Sequence, residues 1–321
     1  MYDLVSIGSI TKDVFIISDR GKIFKTPKDK LAPEWLGFEL GEKICIEKIV
    51  ENIGGVATNV AIGAKKMGLN PAPLGMIGKD AEGEWILNTI KKEKVDARLI
   101  KMATGRKSPV STLIVDEKTG ERVIFFEKSS GEIDLANFSK IKTKSLFVSS
   151  LTGNCSKQIG IFLDYAKKYG ARLIAAPGTS QIIDDWKNLK RLLAKSEIIF
   201  LNRNEAIEMA VREKENGASI ESLTKFLHKL GPKIVCITDG VKGANCSDGK
   251  KIYHSPIQKV KTVEMTGAGD AFAAGFLGFF LKGSDLKTSL RAGILSSASV
   301  VQYIGTTKGL LTKNEILSKM K

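Results

Sequence analysis

The clearest chemical pattern in the sequence is Thr266–Asp270, which reads Thr-Gly-Ala-Gly-Asp and runs directly into the apolar stretch Ala271–Leu281. The first amides of a helix have no intrahelical partners, and the helix dipole is positive at that end. Glycines let this backbone approach an anion closely, so the turn could stabilise charge on a transferred phosphoryl group. Asp270 could then take the proton of an attacking hydroxyl. A glycine-rich turn in which Asp270 only caps the helix fits the same residues.

Other glycines and polar residues follow predicted strands, where the sheet of an α/β protein places its ligands. Asp13 comes after the first strand, and Gly54, Gly55 and Asn59 precede or begin a helix. Further along the chain, the same position after a strand is taken by Asn202 with Glu205, and by Thr238 with Gly240 and Gly243. No Gly-Lys-Ser/Thr phosphate loop occurs, which excludes a P-loop enzyme, and no G-x-G-x-x-G follows the first strand, which argues against a Rossmann dehydrogenase.

Short Val- and Ile-rich runs alternate with amphipathic stretches, which predicts a mostly parallel sheet covered by helices on both faces. The predicted strands are Leu4–Ile7, Ser145–Val148, Arg172–Ala175, Ile198–Leu201 and Ile234–Thr238. The predicted helices are Asn59–Met67, Glu84–Lys92, Gln158–Tyr169, Asn204–Met209 and Glu221–Leu230, together with Ala271–Leu281.

Two segments, about 12–50 and 107–128, have a period closer to two residues. Within the second, Ser111–Val115 and Arg122–Phe126 flank a turn that contains Gly120, which predicts a hairpin. We expect these segments to form a small β-sheet that serves as a lid over a cleft. No linker or repeat divides the chain, so a single domain over residues 1–321 is predicted.

The composition is that of a globular protein with a net charge of +15. The lysines are scattered in short pairs typical of solvated helix faces, and no nucleic-acid-binding module is present, so nucleic acid is not expected as a partner. The four cysteines lack the spacing of a zinc or redox motif. No leader or membrane-length apolar run is visible, and a cytoplasmic protein without membrane contact is expected.

In order and spacing, these motifs resemble the ribokinase-like (PfkB) carbohydrate kinase family over essentially the whole chain. The matching residues are Gly54, Gly55 and Asn59 for the first signature, Gly78–Gly83 for a G-x-D-x-x-G turn, Asn202 and Glu205 for N-x-x-E, Thr238, Gly240 and Gly243 for T-x-G-x-x-G, and Thr266–Asp270 for the second signature. The resemblance implies a three-layer αβα fold with a β-lid, and a kinase that uses Mg-ATP.

The resemblance also implies a role for each matched residue. Asp270 would be the base, with an anion hole formed by the amides of Gly267, Ala268 and Gly269. ATP and magnesium would be held by Asn202, Glu205, Thr238, Gly240, Gly243 and Thr266, with Glu205 acting on the metal through water. Hydroxyls of the acceptor would be bound by Asp13, Gly54, Gly55 and Asn59.

The chain departs from the family pattern at three places. Glu264 stands where the family has an Asp that helps to bind a monovalent cation, so activation by K⁺ is left open. Pro177-Gly178-Thr179 replaces an Asp-Pro-Asn-x-Arg run of many fructokinase-like members. The segment Arg20–Leu36 is long and carries Trp35, and a homodimer through the lid is left open. A sugar kinase is the main prediction, with a nucleoside kinase and a non-catalytic regulator as alternatives.

Overall fold

The computed structural model describes residues 1–26, 34–126 and 132–320. Its strands are β1 (Leu4–Ile7), β2 (Thr11–Ser18), β3 (Lys22–Lys25), β4 (Glu34–Gly37), β5 (Lys48–Gly54), β6 (Pro71–Gly78), β7 (Ile100–Ala103), β8 (Val110–Asp116), β9 (Arg122–Phe126), β10 (Ser145–Val148), β11 (Arg172–Ala175), β12 (Ile198–Asn202), β13 (Ile234–Thr238), β14 (Ala244–Ser247) and β15 (Ile252–Ser255). Its helices are α1 (Val56–Lys66), α2 (Ala81–Lys92), α3 (Cys155–Tyr169), α4 (Thr179–Asp184), α5 (Trp186–Leu193), α6 (Arg203–Arg212), α7 (Ile220–Lys229), α8 (Ala268–Phe280), α9 (Leu286–Val300) and α10 (Lys313–Met320).

The main sheet has nine strands in the order β15-β14-β13-β12-β11-β10-β1-β6-β7. The strands from β13 to β7 are parallel, whereas β14 and β15 extend the sheet as antiparallel strands. The predicted mostly parallel sheet is therefore confirmed. All five strands predicted for it are present within one residue, and the predicted helices begin one to three residues earlier than expected.

Strand β6 was not predicted, because its sequence contains Pro71, Pro73 and Gly75, which are unfavourable in a strand interior. The structure shows why they are tolerated. Strand β7 pairs only with Gly75–Gly78, so the two prolines lie where β1 is the only neighbouring strand of β6. Tertiary pairing with β1 outweighs the local preference.

Side chains alternate between the two faces of the sheet, and each face is covered by its own helices. One face carries Val5, Leu146 and Val148 and packs against α3, α5, α6 and α7. The other face carries Leu4, Phe147 and Ile174 and packs against α1, α8 and α9. Burial of each such side chain stabilises the fold by roughly 1.5–3 kcal/mol. The result is the expected three-layer αβα arrangement.

A separate four-stranded sheet has the order β5-β2-β8-β9, and β3 and β4 form a two-stranded ribbon. These strands fall within the two predicted lid segments, and the predicted hairpin is present as β8 and β9. Residues 27–33 and 127–128 of those segments lie outside the described residues. One face of the small sheet buries Phe15, Ile17 and Leu113 against Ile304 of the main body, so the lid sheet is anchored beside the site described below.

The four cysteines are free thiols. In the part of the chain that the structure describes, no helix is both long and apolar enough to cross a bilayer.

Candidate active site

Asp270 lies in the first turn of α8, a helix that is buried along most of its length. Gly267 precedes the helix in the left-handed region with φ +81°. A Cβ at this position would lie 2.9 Å from Cα of Thr306, so glycine is required both by the backbone angle and by the close approach of the 306 loop. The glycine-rich turn therefore fixes where α8 begins and which way Asp270 points.

Asn59 on α1 holds the carboxylate of Asp270. Its amide Nδ2 donates to Oδ2 of Asp270 at 2.7 Å, across 211 residues of sequence. On the other side, the hydroxyl of Thr306 lies 2.9 Å from Oδ1 of Asn59 and 2.7 Å from the carbonyl oxygen of Ile53. Asn59 and Thr306 are both buried. Thr306 thus contacts the acceptor end of the amide and leaves its donor end facing the carboxylate.

Burial raises the pKa of Asp270 to about 6, because few groups around the carboxyl can stabilise its charge. The hydrogen bond from Asn59 lowers this pKa, and the negative charge of Asp13 raises it. A carboxylate with a pKa near 6 is ionised at neutral pH and is still basic enough to accept a proton from a hydroxyl in a transition state. A carboxylate in this environment can therefore act as a general base.

Asp13, on the lid strand β2, is a second buried carboxylate of the same site. Thr11 donates a hydrogen bond of 2.8 Å to its Oδ1. Burial raises its pKa to about 6, hydrogen bonds with Thr11 and Ser111 lower it, and the charge of Glu264 raises it. A Cβ at Gly54 would overlap with this carboxylate, so Gly54 makes room for Asp13. Gly55, with φ +87°, lies against the Ser9 carbonyl and is the N-cap of α1.

A cavity of about 920 Å³ opens in front of these groups. Of the predicted site residues, the structure brings five to its wall: Asp13, Gly55, Asn59, Thr266 and Asp270. Gly54 lies behind Asp13 rather than on the wall. The lid contributes Ser111, Leu113, Ile124 and Phe126, which places the small sheet over the cavity.

The amides predicted for an anion hole lie at the start of α8, beside Asp270. The N–H of Ala268 donates to the carbonyl of Met265 at 3.2 Å, so a phosphoryl oxygen would have to replace this bond. Gly269 faces open space and is exposed. The positive end of the α8 dipole adds to the attraction for an anion here.

Of the residues predicted for the nucleotide, Thr266 lines the cavity, and the other five lie at or just after the carboxyl ends of β12 and β13. These two strands are neighbours, with Asn202 and Thr238 paired in register. Asn202 and Glu205 form a capping box: the Glu205 N–H donates to the amide oxygen of Asn202 at 2.8 Å, and the Asn202 N–H donates to the carboxylate of Glu205 at 2.9 Å. Gly240 and Gly243 shape the loop from β13 to β14, and a Cβ at Gly243 would overlap with the Ser255 carbonyl. These five residues do not line the large cavity, which leaves it for another molecule.

Glu205 is the carboxylate predicted to act on magnesium. Burial raises its pKa, its hydrogen bonds with Asn202 lower it, and the charge of Asp270 raises it again. The described residues contain no group of three or more His, Cys, Asp or Glu side chains that could hold a metal by themselves. This donor set fits Mg²⁺, which keeps several waters and is usually shared between one or two carboxylates and the substrate phosphates.

Glu264 is fully buried, and it accepts hydrogen bonds from the backbone N–H of Thr266 at 2.7 Å and from the Thr266 hydroxyl. Nε of Arg122, on the lid strand β9, lies 3.1 Å from the same carboxylate oxygen. An arginine of the lid thus balances the buried charge of Glu264. Arg122, like Thr306 and Ser111, has no sequence signal that could have identified it.

Asp80, in the G-x-D-x-x-G turn, has the structural role that its turn sequence favours. Its Oδ1 accepts from the Gly83 N–H at 2.8 Å and caps α2, and Oδ2 accepts from the Ser108 N–H at 2.7 Å. It joins α2 to the lid segment and does not line the cavity.

Comparison with known proteins gives consistent results. The model of the pfkB family of carbohydrate kinases matches residues 31–313. An ATP-dependent 6-phosphofructokinase of Thermoanaerobacterium thermosaccharolyticum is 27% identical over 315 residues, which covers 95% of this chain and 89% of that protein. Among solved structures, a ribokinase of Arabidopsis thaliana with ribose and ATP has a TM-score of 0.79 at 20% identity and covers 100% and 99% of the two chains. A nucleoside kinase of Burkholderia thailandensis with inosine has a TM-score of 0.79 at 18% identity and covers 98% and 97%.

Proposed function

The chain belongs to the pfkB family of carbohydrate kinases, and on this premise we propose that it transfers the γ-phosphoryl group of Mg-ATP to a hydroxyl of a sugar, with Asp270 as the base. The observation that carries the proposal is the carboxylate of Asp270, held by Asn59 on the wall of the cavity and next to the start of α8. A base and a positively polarised helix terminus are two of the parts that sites for in-line phosphoryl transfer use, together with magnesium.

The reaction is a single displacement. As the acceptor oxygen forms its bond to the γ-phosphorus, its proton passes to Asp270, and the bond between that phosphorus and the β,γ-bridging oxygen breaks. ADP leaves with the bridging oxygen, and no covalent enzyme intermediate forms. Amides of Gly267, Ala268 and Gly269 stabilise the charge that develops on the transferred group.

The nucleotide is placed at the carboxyl ends of β12 and β13, where Thr238, Gly240 and Gly243 contact its phosphates and Asn202 and Thr266 complete the site. Magnesium, held through water by Glu205, would neutralise charge on the phosphates when bound. The +15 net charge of the protein favours the approach of an anionic nucleotide.

The acceptor occupies the 920 Å³ cavity, with its hydroxyls bound by Asp13, Asn59 and the backbone around Gly55. Sites of roughly 300–1,000 Å³ bind drug-sized ligands, so this cavity is larger than one sugar ring requires. That observation favours, as a second candidate, a nucleoside kinase of the same fold.

Arg122 takes the place of a monovalent cation in this proposal. Its guanidinium compensates the buried charge of Glu264, which in turn fixes the Thr266 N–H at the entrance to the glycine turn. We therefore expect turnover that does not depend on potassium.

We also propose that the lid acts as a cover and joins two copies of the chain. Phe125 on β9 and Phe24 on β3 are more than half exposed. An apolar surface of this kind is a typical protein contact, and a second lid presents the same residues to it.

The proposal is tested by measuring ADP release with Mg-ATP across pentoses, hexoses and nucleosides, with mass spectrometry of the acceptor. We expect one acceptor class to gain a phosphoryl group at a rate that saturates with its concentration. ADP release that is the same with and without every acceptor would contradict a kinase that acts on a sugar or a nucleoside.

A further inference from the structure

Residues 304–307, which read Ile-Gly-Thr-Thr and follow α9, lie between the lid and the glycine turn. Ile304 packs against the apolar face of the small lid sheet. Thr306 lies against the glycine turn, because a Cβ at Gly267 would be 2.9 Å from Cα of Thr306. This segment, the 304–307 loop, therefore contacts both the lid and the start of α8.

The hydroxyl of Thr306 spans the junction at which the lid meets α1. Strand β5 ends at Gly54, and Gly55 is the N-cap of α1. Oγ1 of Thr306 lies 2.7 Å from the carbonyl oxygen of Ile53, before the two glycines, and 2.9 Å from Oδ1 of Asn59, after them. Glycine permits a wide range of backbone angles, so the chain itself does not fix the angle of this junction. Thr306 adds a second, non-covalent link across it.

A second set of contacts binds the same loop to the lid. Oγ1 of Thr307 donates to Oδ1 of Asn52, on β5, at 3.1 Å. Gly305, with φ +109°, lies so close to the same side chain that a Cβ would be 2.2 Å from Nδ2 of Asn52. Of the two threonines, Thr306 is part of the cavity wall and Thr307 is not. The loop therefore has a lid end at Thr307 and a base end at Thr306.

At the base end, the hydrogen bonds continue to the carboxylate of Asp270. Asn59 presents the acceptor end of its amide to Thr306 and the donor end to Asp270, whose Oδ2 accepts at 2.7 Å. The two ends of an amide are rigidly joined, so a displacement of the hydroxyl at one end changes the geometry of the bond at the other. Hydrogen bonds weaken steeply as their angle departs from linear. Asp270 is thus held, through Asn59, by a loop that is itself bound to the lid.

We propose that Thr306 and Thr307 are positioning residues for Asp270: the 304–307 loop links the lid strand β5 to Asn59 across the two glycines and so keeps the amide of Asn59 oriented toward the carboxylate. For its effect on turnover the inference rests on the proposed function, because it takes Asp270 as the base. The hydrogen bonds themselves do not depend on which acceptor is used. Both threonines act through Asn59, and Thr307 does so from outside the cavity wall.

The first test is the pKa of Asp270, measured by NMR on the full chain with ¹³C-labelled aspartate carboxyls, with Asp270→Asn to identify the signal. A neutral hydrogen bond is equivalent to at most about one pKa unit, and a loosened Asn59 stabilises the carboxylate less. The pKa should therefore rise by about 0.3–1 unit in Thr306→Val and by about 0.2–0.5 unit in Thr307→Val. The charged groups that influence Asp270 are Asp13 and Glu205, and all of these variants retain them.

The lid end of the loop is changed at Thr307 because its partner Asn52 lies opposite Asp13 in the lid sheet. Thr89→Val is the matched control: Thr89 is half-buried on α2, and its hydroxyl donates to the carbonyl of Trp85 at 2.8 Å, so the same kind of bond is removed away from the site.

Two further variants show whether the effect passes through Asn59. Thr307→Ser keeps the hydroxyl and should have a pKa of Asp270 within about 0.1 unit of the wild type. In an Asn59→Leu background, Thr307→Val should cause no further rise, because the loop then has no amide to orient. Thr306→Ser, which keeps the hydroxyl, should likewise leave the pKa unchanged. If Thr306→Val does not fold, the half-buried Thr307 carries the test alone.

Turnover is the second readout. In Thr307→Val, kcat should fall by about 2–10-fold while the acceptor KM stays within about twofold of the wild type. An unchanged pKa of Asp270 in Thr307→Val, or an equal rise with Asn59 present and replaced, would overturn the proposal. A wild type that phosphorylates no acceptor would refute the proposed function, and the titration would still decide the role of the loop. Turnover together with an unchanged titration would keep the kinase and refute the link.

Discussion

The hydrogen bond from Asn59 sets the pH at which Asp270 can act as a base. Nδ2 of Asn59 stabilises the ionised carboxylate at 2.7 Å, so its removal must raise the pKa of Asp270 from its value of about 6. Asn59→Leu removes the donor and keeps a side chain of similar size. Because only the ionised carboxylate accepts a proton, the acidic limb of kcat/KM should move to higher pH.

The size of the shift follows from the strength of the bond. A hydrogen bond to a charged group contributes about 1.5–3 kcal/mol, and one pKa unit corresponds to about 1.4 kcal/mol. The pKa should therefore rise by about 1–2 units, which moves the limb from about pH 6 to about pH 7–8. Thr306→Val, which only loosens the amide, should move it less.

The assay is kcat/KM measured from pH 5 to 9 for the wild type, Asn59→Leu and Asn88→Leu. Asn88 is exposed on α2, so its variant controls for the same chemical change away from the site. The level of kcat/KM will also fall in Asn59→Leu because Asn59 faces the acceptor, but the position of the limb does not depend on that level. An acidic limb at the same or a lower pH in Asn59→Leu would refute the role assigned to Asn59.

Three further predictions concern charges around the site. The pKa of Asp13 is about 6 in the folded chain against an ordinary value of 3.8, so ionisation of Asp13 lowers folding stability as pH rises through this range. Asp13→Asn should therefore raise the free energy of unfolding in urea by up to about 3 kcal/mol at pH 8 and by little at pH 4. An equal effect of the substitution at both pH values would contradict this cause. Wild-type turnover should agree within about twofold in potassium and in tetramethylammonium salts, because Arg122 already compensates the charge of Glu264. Arg122→Ala leaves Glu264 buried and unpaired, so this variant should have a melting temperature lower by several degrees and a turnover that potassium increases more than it does in the wild type. Tenfold activation of the wild type by potassium would exclude the idea that Arg122 takes the place of a monovalent cation. Glu205→Gln should raise the Mg²⁺ concentration for half-maximal turnover by about tenfold and leave the acceptor KM nearly unchanged, and an unaltered Mg²⁺ dependence would remove Glu205 from the metal site.

Local sequence was sufficient for the elements that local forces determine. β1, β10 and β11 are short apolar runs bounded by turn residues, and their limits are those expected. The start of α8 at a glycine-rich turn, with Asp270 in its first turn, was likewise visible in the sequence.

Contacts between distant parts of the chain had no such signal. Thr306 lies 247 residues from Asn59, and Arg122 meets Glu264 from the lid, so neither could be identified as part of the site from its neighbours in sequence. Gln181 belongs to a short helix whose sequence carries no motif. Contacts in three dimensions, rather than residue type, bring Thr306 and Gln181 to the cavity wall and Arg122 to Glu264.

The central claim, that Asp270 is the base of a phosphoryl transfer, is tested most directly by comparing turnover and ATP affinity in the wild type and in Asp270→Asn. The asparagine keeps the shape of the side chain and removes its ability to take a proton. We predict that turnover falls by roughly 10²–10⁴-fold while the Kd for ATP stays within about threefold of the wild type. Turnover that survives the substitution, or loss of ATP binding with turnover intact, would contradict the account.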